Sequence, residues 1–150
     1  MPHAERTILI ARPQQEVFAF FADGENDPRW RSGVKLMRRE GPLAEGARYT
    51  QRIAGPGGRD IPADIEVTAL DPDELVQFHG VAGPVRPEGS YEFEPADGGT
   101  AVTFTLDAEL TGIRKLLMGR QVQKSMDGEM ANLDKAKELL EASEPSAGSS

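Results

Sequence analysis

His79 is the one histidine away from the N-terminus, so acid–base or metal chemistry would be sought there first. Its surroundings favour neither. Val76, Phe78 and Gly80 alternate with Leu75, Gln77, His79 and Val81, and an inward Phe78 turns His79 toward solvent. No serine–histidine–acid order, helical histidine pair or metal-ligand cluster accompanies it, and nucleophilic or metal chemistry needs such a set. The carboxylates offer no better pairing. Asp64 and Glu66 fall on the polar face of their strand, and Asp71 and Asp73 belong to a turn. Asp60 reads as solvated with them. Glycine-rich runs such as Gly55-Pro56-Gly57-Gly58 lack the strand-to-helix context of a phosphate loop and read as hairpin turns. The chain has no cysteine, which excludes disulfides, thiolate catalysis and thiolate-bound zinc. The sequence therefore assigns no catalytic residue, no metal and no cofactor.

What remains is a set of large apolar side chains able to wall a pocket. Phe21, Tyr49, Phe78, Tyr91, Phe93 and Phe104 are assigned to its walls, Trp30 to its mouth, and Val122, Met126 and Met130 to its ceiling. Ligand pockets are mostly apolar with a few placed polar groups, and the flexible methionine thioether adapts to varied shapes. Each of these residues alone is what an ordinary core contains. Collectively they fall on the strands and on the one long helix able to cover them, an arrangement that leaves space so few side chains need not fill. Tyr49 and Tyr91 matter most, because a buried phenol needs a hydrogen-bond partner that a ligand can supply. A different signal comes from Arg114, Lys115, Arg120 and Lys124, which load the start of the final helix with positive charge against the helix dipole. They read either as a solvated basic face or as a rim attracting the carboxylate or phosphate of an amphipathic ligand.

These residues must be positioned by regular elements. Glu5 to Ala11 alternates as a first strand, and Pro13 suits the start of a helix over Gln14 to Ala22 that is apolar almost all round. Asp23 to Pro28 breaks it, and Asn26 or Asp27 caps a second short turn carrying Trp30. From Val34 the period is two. Strands are expected at Val34 to Met37, Arg48 to Ile53, Ile61 to Ala69, Leu75 to Val81, Tyr91 to Glu94 and Ala101 to Leu110. Turn residues separate them, among them Asp71-Pro72-Asp73-Glu74, Gly83-Pro84 and Asp97-Gly98-Gly99. The period returns to helical from Gly112 to Ala142, where Val122, Met126, Met130, Leu133, Ala136 and Leu140 make one apolar stripe. Gly119 separates a preliminary turn, Ile113 to Met118, from the main helix. At about 1.5 Å per residue, only this helix is long enough to cover a sheet.

One domain fits 150 residues, and 38% hydrophobic with 28% charged residues is the balance of a water-soluble fold. A net charge of −8 and a pI near 4.8 argue against nucleic acid and anionic membrane surfaces, which want a basic footprint. No apolar run approaches spanning length and residues 1–7 lack a signal pattern, so no membrane insertion and a cytoplasmic location are expected.

Taken together the chain resembles the START-like superfamily, also called the SRPBCC, Bet v 1-like or polyketide cyclase/dehydrase-like group. The carrying residues are the first strand with Arg12-Pro13-Gln14-Gln15-Glu16-Val17-Phe18, then Asn26-Asp27-Pro28-Arg29-Trp30. Gly89 to Pro95, Gly99 to Phe104 and the terminal Leu139-Leu140-Glu141 complete the likeness, which spans roughly residues 5 to 142. The resemblance implies an α+β helix-grip fold. A seven-stranded curved antiparallel sheet would wrap around a long C-terminal helix, with two short helices between strands 1 and 2. The domain is expected over residues 1–142, with 143–150 a disordered tail. It further implies a protein, monomer or homodimer, that binds a small hydrophobic or amphipathic molecule (a lipid, a polyketide or similar) in an internal cavity. The alternatives it implies are two. One is a polyketide cyclase or aromatase polarising a carbonyl with Tyr49, Tyr91 or an inward Arg48 or Arg52. The other is a co-chaperone-like interaction module with a filled core.

Overall fold

A computed structural model describes residues 3–82, 86–108 and 112–142, with 56 and 112–119 described by their backbone. Strand β1 (His3–Ile10) leads into α1 (Gln14–Ala22) and a 3-10 helix (Gly24–Arg29). Then follow β2 (Val34–Glu40), β3 (Arg48–Ala54), β4 (Asp60–Pro62), β5 (Ile65–Asp71), β6 (Leu75–Gly80), β7 (Glu88–Ala96) and β8 (Gly99–Asp107). Two helices close the fold, α2 (Gly112–Ala131) and α3 (Leu133–Ala142). Every strand pairing is antiparallel, in the order β1-β8-β7-β6-β5-β3-β2, with the three-residue β4 paired onto β3. This is the expected helix-grip architecture: a seven-strand path, curled, with two short helices between its first two strands.

The curl has local causes. Register shifts between Val34 and Leu36 and between Val67 and Ala69 insert bulges, which bend a strand and increase its twist. The second falls inside the segment expected to be one strand from Ile61 to Ala69. That segment is two strands, because Ala63 and Asp64 leave the ladder: the Ala63 N–H donates to the Gln51 carbonyl and Asp64 Oδ1 accepts from the Gln51 N–H. Glycine also shapes the inner surface. A Cβ on Gly89 would lie 2.3 Å from the Phe78 ring, so its absence lets Phe78 lie flat on the neighbouring strand.

The terminal helix departs from expectation in two ways. Gly119 interrupts nothing, since α2 runs through it. The break comes instead at Asn132, whose N–H is shared between the carbonyls of Gly128 and Glu129 while its own carbonyl accepts from Lys135. Gly128 and Asn132 are both poor helix formers placed one turn apart, which is a sufficient cause. Beyond the break, α3 docks on the opening strand. Arg12 Nε donates to the Leu140 carbonyl at 2.9 Å and Lys137 Nζ to the Leu9 carbonyl at 2.6 Å.

The apolar interior falls into two clusters. The larger joins Ile10, Val17, Phe21, Trp30, Phe93, Val102, Phe104 and Leu133 with the stripe of α2 and α3. The smaller joins Val34, Met37, Ala47, Tyr49, Ile65 and Val67, and Leu70 and Phe78 touch both. The Gly83-Pro84 turn, Leu110 and the tail 143–150 lie outside the described residues.

Candidate ligand cavity

A cavity of about 200 Å³ occupies the seam between the two clusters. Strand β3 contributes Tyr49, Gln51 and Ile53, β5 contributes Ile65 and Val67, and β6 contributes Val76 and Phe78. Tyr91, Phe104 and Leu106 come from β7 and β8, Phe21 from α1, and Val122, Ser125, Met126 and Glu129 from α2. Period-two alternation explains the strand contributions, since Tyr49, Gln51 and Ile53 share one face and Tyr91 faces inward beside Phe104. The aromatic wall is ordered: the Tyr91 and Phe104 rings stack with centroids 4.5 Å apart, and Phe21 leans on Tyr91 at 5.1 Å.

Seven of the proposed pocket residues are thus brought together: Phe21, Tyr49, Phe78, Tyr91, Phe104, Val122 and Met126. Three positions are corrected. Trp30 is not at a mouth. It is 2% exposed and packs edge-on against Phe21, Tyr91 and Phe104, behind the wall. Phe93 faces inward but lies under α1, edge-to-face with Phe18 at 5.3 Å. Met130 is buried but off the cavity lining, and its carbonyl accepts from Arg6 of β1. Arg48 and Arg52 are exposed rather than inward. Arg120 and Lys124 are exposed and outside the cavity lining, and the side chains of Arg114 and Lys115 lie outside the described residues. His79 is on the outer face, 41% exposed and 3.3 Å from Glu66.

The polar part of the cavity is one connected group. Arg31 donates through Nη1 to Asp27 Oδ2 and to Gln51 Oε1, each at 2.9 Å. It donates through Nε to Glu129 Oε2 at 2.8 Å and through Nη2 to the same oxygen. This guanidinium therefore ties the 3-10 segment to β3 and to α2. Burial acts against the charge of Arg31, and Glu129 and Asp27 outweigh it, so the group stays firmly cationic. Burial pushes the Asp27 carboxyl up from 3.8 to about 6 against the opposing pull of Arg31. Asp27 Oδ1 and Trp30 Nε1 are buried with no hydrogen-bond partner assigned among the described residues, and the indole N–H favours the charged carboxylate.

Sequence reasoning missed this group, though signals existed. Asp27 and Arg31 stand four residues apart, Gln51 is a polar residue at an inward strand position, and Glu129 lies three residues past Met126 on the covered side of α2. The two tyrosines differ sharply. Tyr49 accepts a 3.0 Å hydrogen bond from the Gly24 N–H, and a Cβ on Gly24 would lie 3.0 Å from its ring. Tyr91 is 3% exposed, and its hydroxyl has no partner among the described residues. Burial, with Asp27 next, raises the Tyr91 pKa well above its ordinary value, so the phenol is neutral.

A curled sheet gripping a helix, with an apolar cavity between them and a buried polar anchor, defines a helix-grip domain of the START-like kind. The chain belongs to the polyketide cyclase / dehydrase and lipid transport family, whose model matches residues 1–138. Among solved structures it is similar to TTHA0849 from Thermus thermophilus, with 24% identity, a TM-score of 0.78 and 93% and 97% of the two chains covered. A START superfamily protein from Mycobacterium smegmatis aligns at 15% identity and a TM-score of 0.73, covering 93% and 97%. The di-domain ARO/CYC StfQ from the steffimycin biosynthetic pathway aligns at 14% identity and a TM-score of 0.78, with 93% of this chain on 50% of that one. No curated protein matches. No helix among the described residues is long and apolar enough to cross a membrane.

Proposed function

We propose that this protein binds one small, mainly hydrophobic molecule in the cavity between the sheet and α2, using the ten residues singled out from the sequence as far as they reach it. The observation that carries the reading is an unfilled space of about 200 Å³ with aromatic and aliphatic walls and a buried polar group at its edge. An engineered apolar cavity of about 150 Å³ stays dry and accepts benzene, whereas drug-sized ligands occupy roughly 300–1,000 Å³. The size therefore favours a guest of one or two rings over a sterol or a four-ring polyketide. The family description and the ARO/CYC neighbours support a ligand-binding role of this kind. An empty seam also weighs against the interaction-module reading, which requires a filled core. We extend the proposal to a domain spanning residues 1–142 that acts in the cytoplasm as a monomer or homodimer.

Native mass spectrometry of freshly purified protein tests the reading, with a co-purifying apolar molecule as the expected result. The Val67→Phe variant fills the cavity and should lose that molecule while staying folded. Equal retention by both proteins would place the guest elsewhere.

A second reading, cyclase or aromatase chemistry, is favoured by one observation. A carboxyl titrating near 6 stands beside a cavity that also holds Tyr91 and Arg31. Turnover lost in Tyr91→Phe with binding retained would support an enzyme; turnover unchanged would leave a binding protein.

A further inference from the structure

The apolar walls set the body of a ligand, and the polar patch must then set its head. Resting on the binding proposal above, the hydrogen-bond inventory of that patch indicates which head fits. A guanidinium has five N–H groups, and Arg31 directs them at Asp27, Gln51 and, through Nε and Nη2, Glu129. Its donors are almost wholly engaged within the protein. The acceptors are not. Glu129 takes both of its bonds on Oε2, leaving Oε1 without a hydrogen-bond partner among the described residues. Two carboxylates face one guanidinium, so the patch carries a surplus of negative charge and of lone pairs. Tyr91 is buried, lines the same cavity and has no hydrogen-bond partner among the described residues, so its hydroxyl can accept from a ligand as well as donate. The exposed cations of the helix, Arg120 and Lys124, lie off the lining and do not offset this.

We propose that the patch formed by Tyr91, Glu129 and the Asp27–Arg31 pair is a head-group site that takes a hydrogen-bond donor, a hydroxyl or an ammonium, and rejects a carboxylate. A donor head supplies what Glu129 Oε1 and the Tyr91 oxygen lack. An anionic head would meet two carboxylates in a largely buried patch whose one cation among the described residues, Arg31, is already engaged, and like charges there repel.

Four probes of one size test this at neutral pH by ligand-observed NMR or calorimetry: naphthalene, 2-naphthol, 2-naphthylmethylamine and 2-naphthoate. The expected result is that 2-naphthol or the amine binds at least tenfold tighter than 2-naphthoate, and severalfold tighter than naphthalene. Preference for the neutral hydroxyl assigns the selection to hydrogen bonding, and preference for the amine assigns it to charge; both support the site. In Tyr91→Phe, which removes no bond within the protein, 2-naphthol should lose about tenfold while naphthalene is unchanged. In Glu129→Gln the discrimination against 2-naphthoate should shrink severalfold. Equal binding of all four probes overturns the head-group site and leaves the cavity reading intact, whereas binding of none overturns both. Tightest binding of 2-naphthoate also overturns the site and restores the anionic-ligand reading of the basic helix.

Discussion

The two halves of the sheet's inner face are covered in different ways. Over β1, β8 and β7 lie three helices: α2 and α3 rest on β1, and α1 rests on β7 and β8. Ile10, Val17, Val102, Leu133 and Ala136 there are sealed from solvent. Over β2, β3 and β5, the 3-10 segment packs against β2 and α2 stands across the cavity. The side chains of that half form a small cluster of their own, and the cavity lies along its border with the larger one. One half is close-packed like an ordinary core. The other is held at a distance, and the Arg31 group is the strut between them. Stability and ligand space are therefore assigned to different regions of a single sheet.

The largest predicted effect comes from removing the strut. Arg31→Ala leaves the buried Asp27 and the partly buried Glu129 without a counter-charge, and breaking a buried ion pair from one side costs about 3–5 kcal/mol. Urea denaturation of the variant measures it. A loss below about 1 kcal/mol would show that water already reaches the seam and that the two halves do not depend on Arg31. Replacing Asp27, Arg31 and Glu129 together by apolar residues of similar volume should recover much of the loss, at the expense of head-group selection.

Next in size is a pH effect of the same group. The folded pKa of Asp27, about 6, lies above its unfolded value of 3.8. The folded protein thus holds a proton that the unfolded chain releases, so this contribution is fully present below pH ~4 and lost as pH rises through about 6. A shift of about two pH units corresponds to about 3 kcal/mol at most. Unfolding free energies of wild type and Asp27→Asn should therefore converge or cross between pH ~4 and ~7, with the variant gaining relative to wild type as pH rises. Parallel curves would mean that Asp27 is better solvated than its burial implies.

The comparison of halves is sharpened by one substitution made on each side. Val102 is fully buried in the dense half and Val67 lines the cavity. Val102→Phe overpacks a filled core and should cost about 1–3 kcal/mol or more, whereas Val67→Phe has space to enter and should cost under about 1 kcal/mol. Thermal or chemical melts decide it. Equal penalties would mean that the seam collapses in solution and that the cavity is not held open.

How much of this was legible beforehand follows the range of the interactions involved. Strands and hairpins were readable because period-two alternation and turn residues such as Asp97-Gly98-Gly99 are local. Tyr91 and Phe104 could be assigned inward by parity alone. Trp30, Phe93 and Met130 could not be separated from true cavity residues, because an inward side chain faces either the gap or another element, and only the crossing of α1 and α2 decides which. The break at Asn132 was hidden because the apolar stripe continues across it through Leu133 and Ala136. The polar anchor was the least legible. Its members come from positions 27, 31, 51 and 129, and no local pattern links Arg31, just past the 3-10 helix, to a residue ninety-eight positions later. The basic start of α2 is by contrast a local charge signal, and its described members, Arg120 and Lys124, lie outside the cavity.

The smallest predicted effect tests the two faces of the sheet. His79 is the side chain that sequence chemistry singles out first, yet it stands on the outer face in a ladder of charged neighbours. Cross-strand registry places it between Glu66 and Glu88, with Arg48 beyond Glu66, and its side chain is 41% exposed. Such surface substitutions usually change stability by no more than about 0.5 kcal/mol. His79→Ala should therefore melt like wild type and bind every cavity probe unchanged, while Phe78→Ala, one residue away and facing inward, should alter both. A variant at His79 that abolished binding would move the functional surface to the outer face.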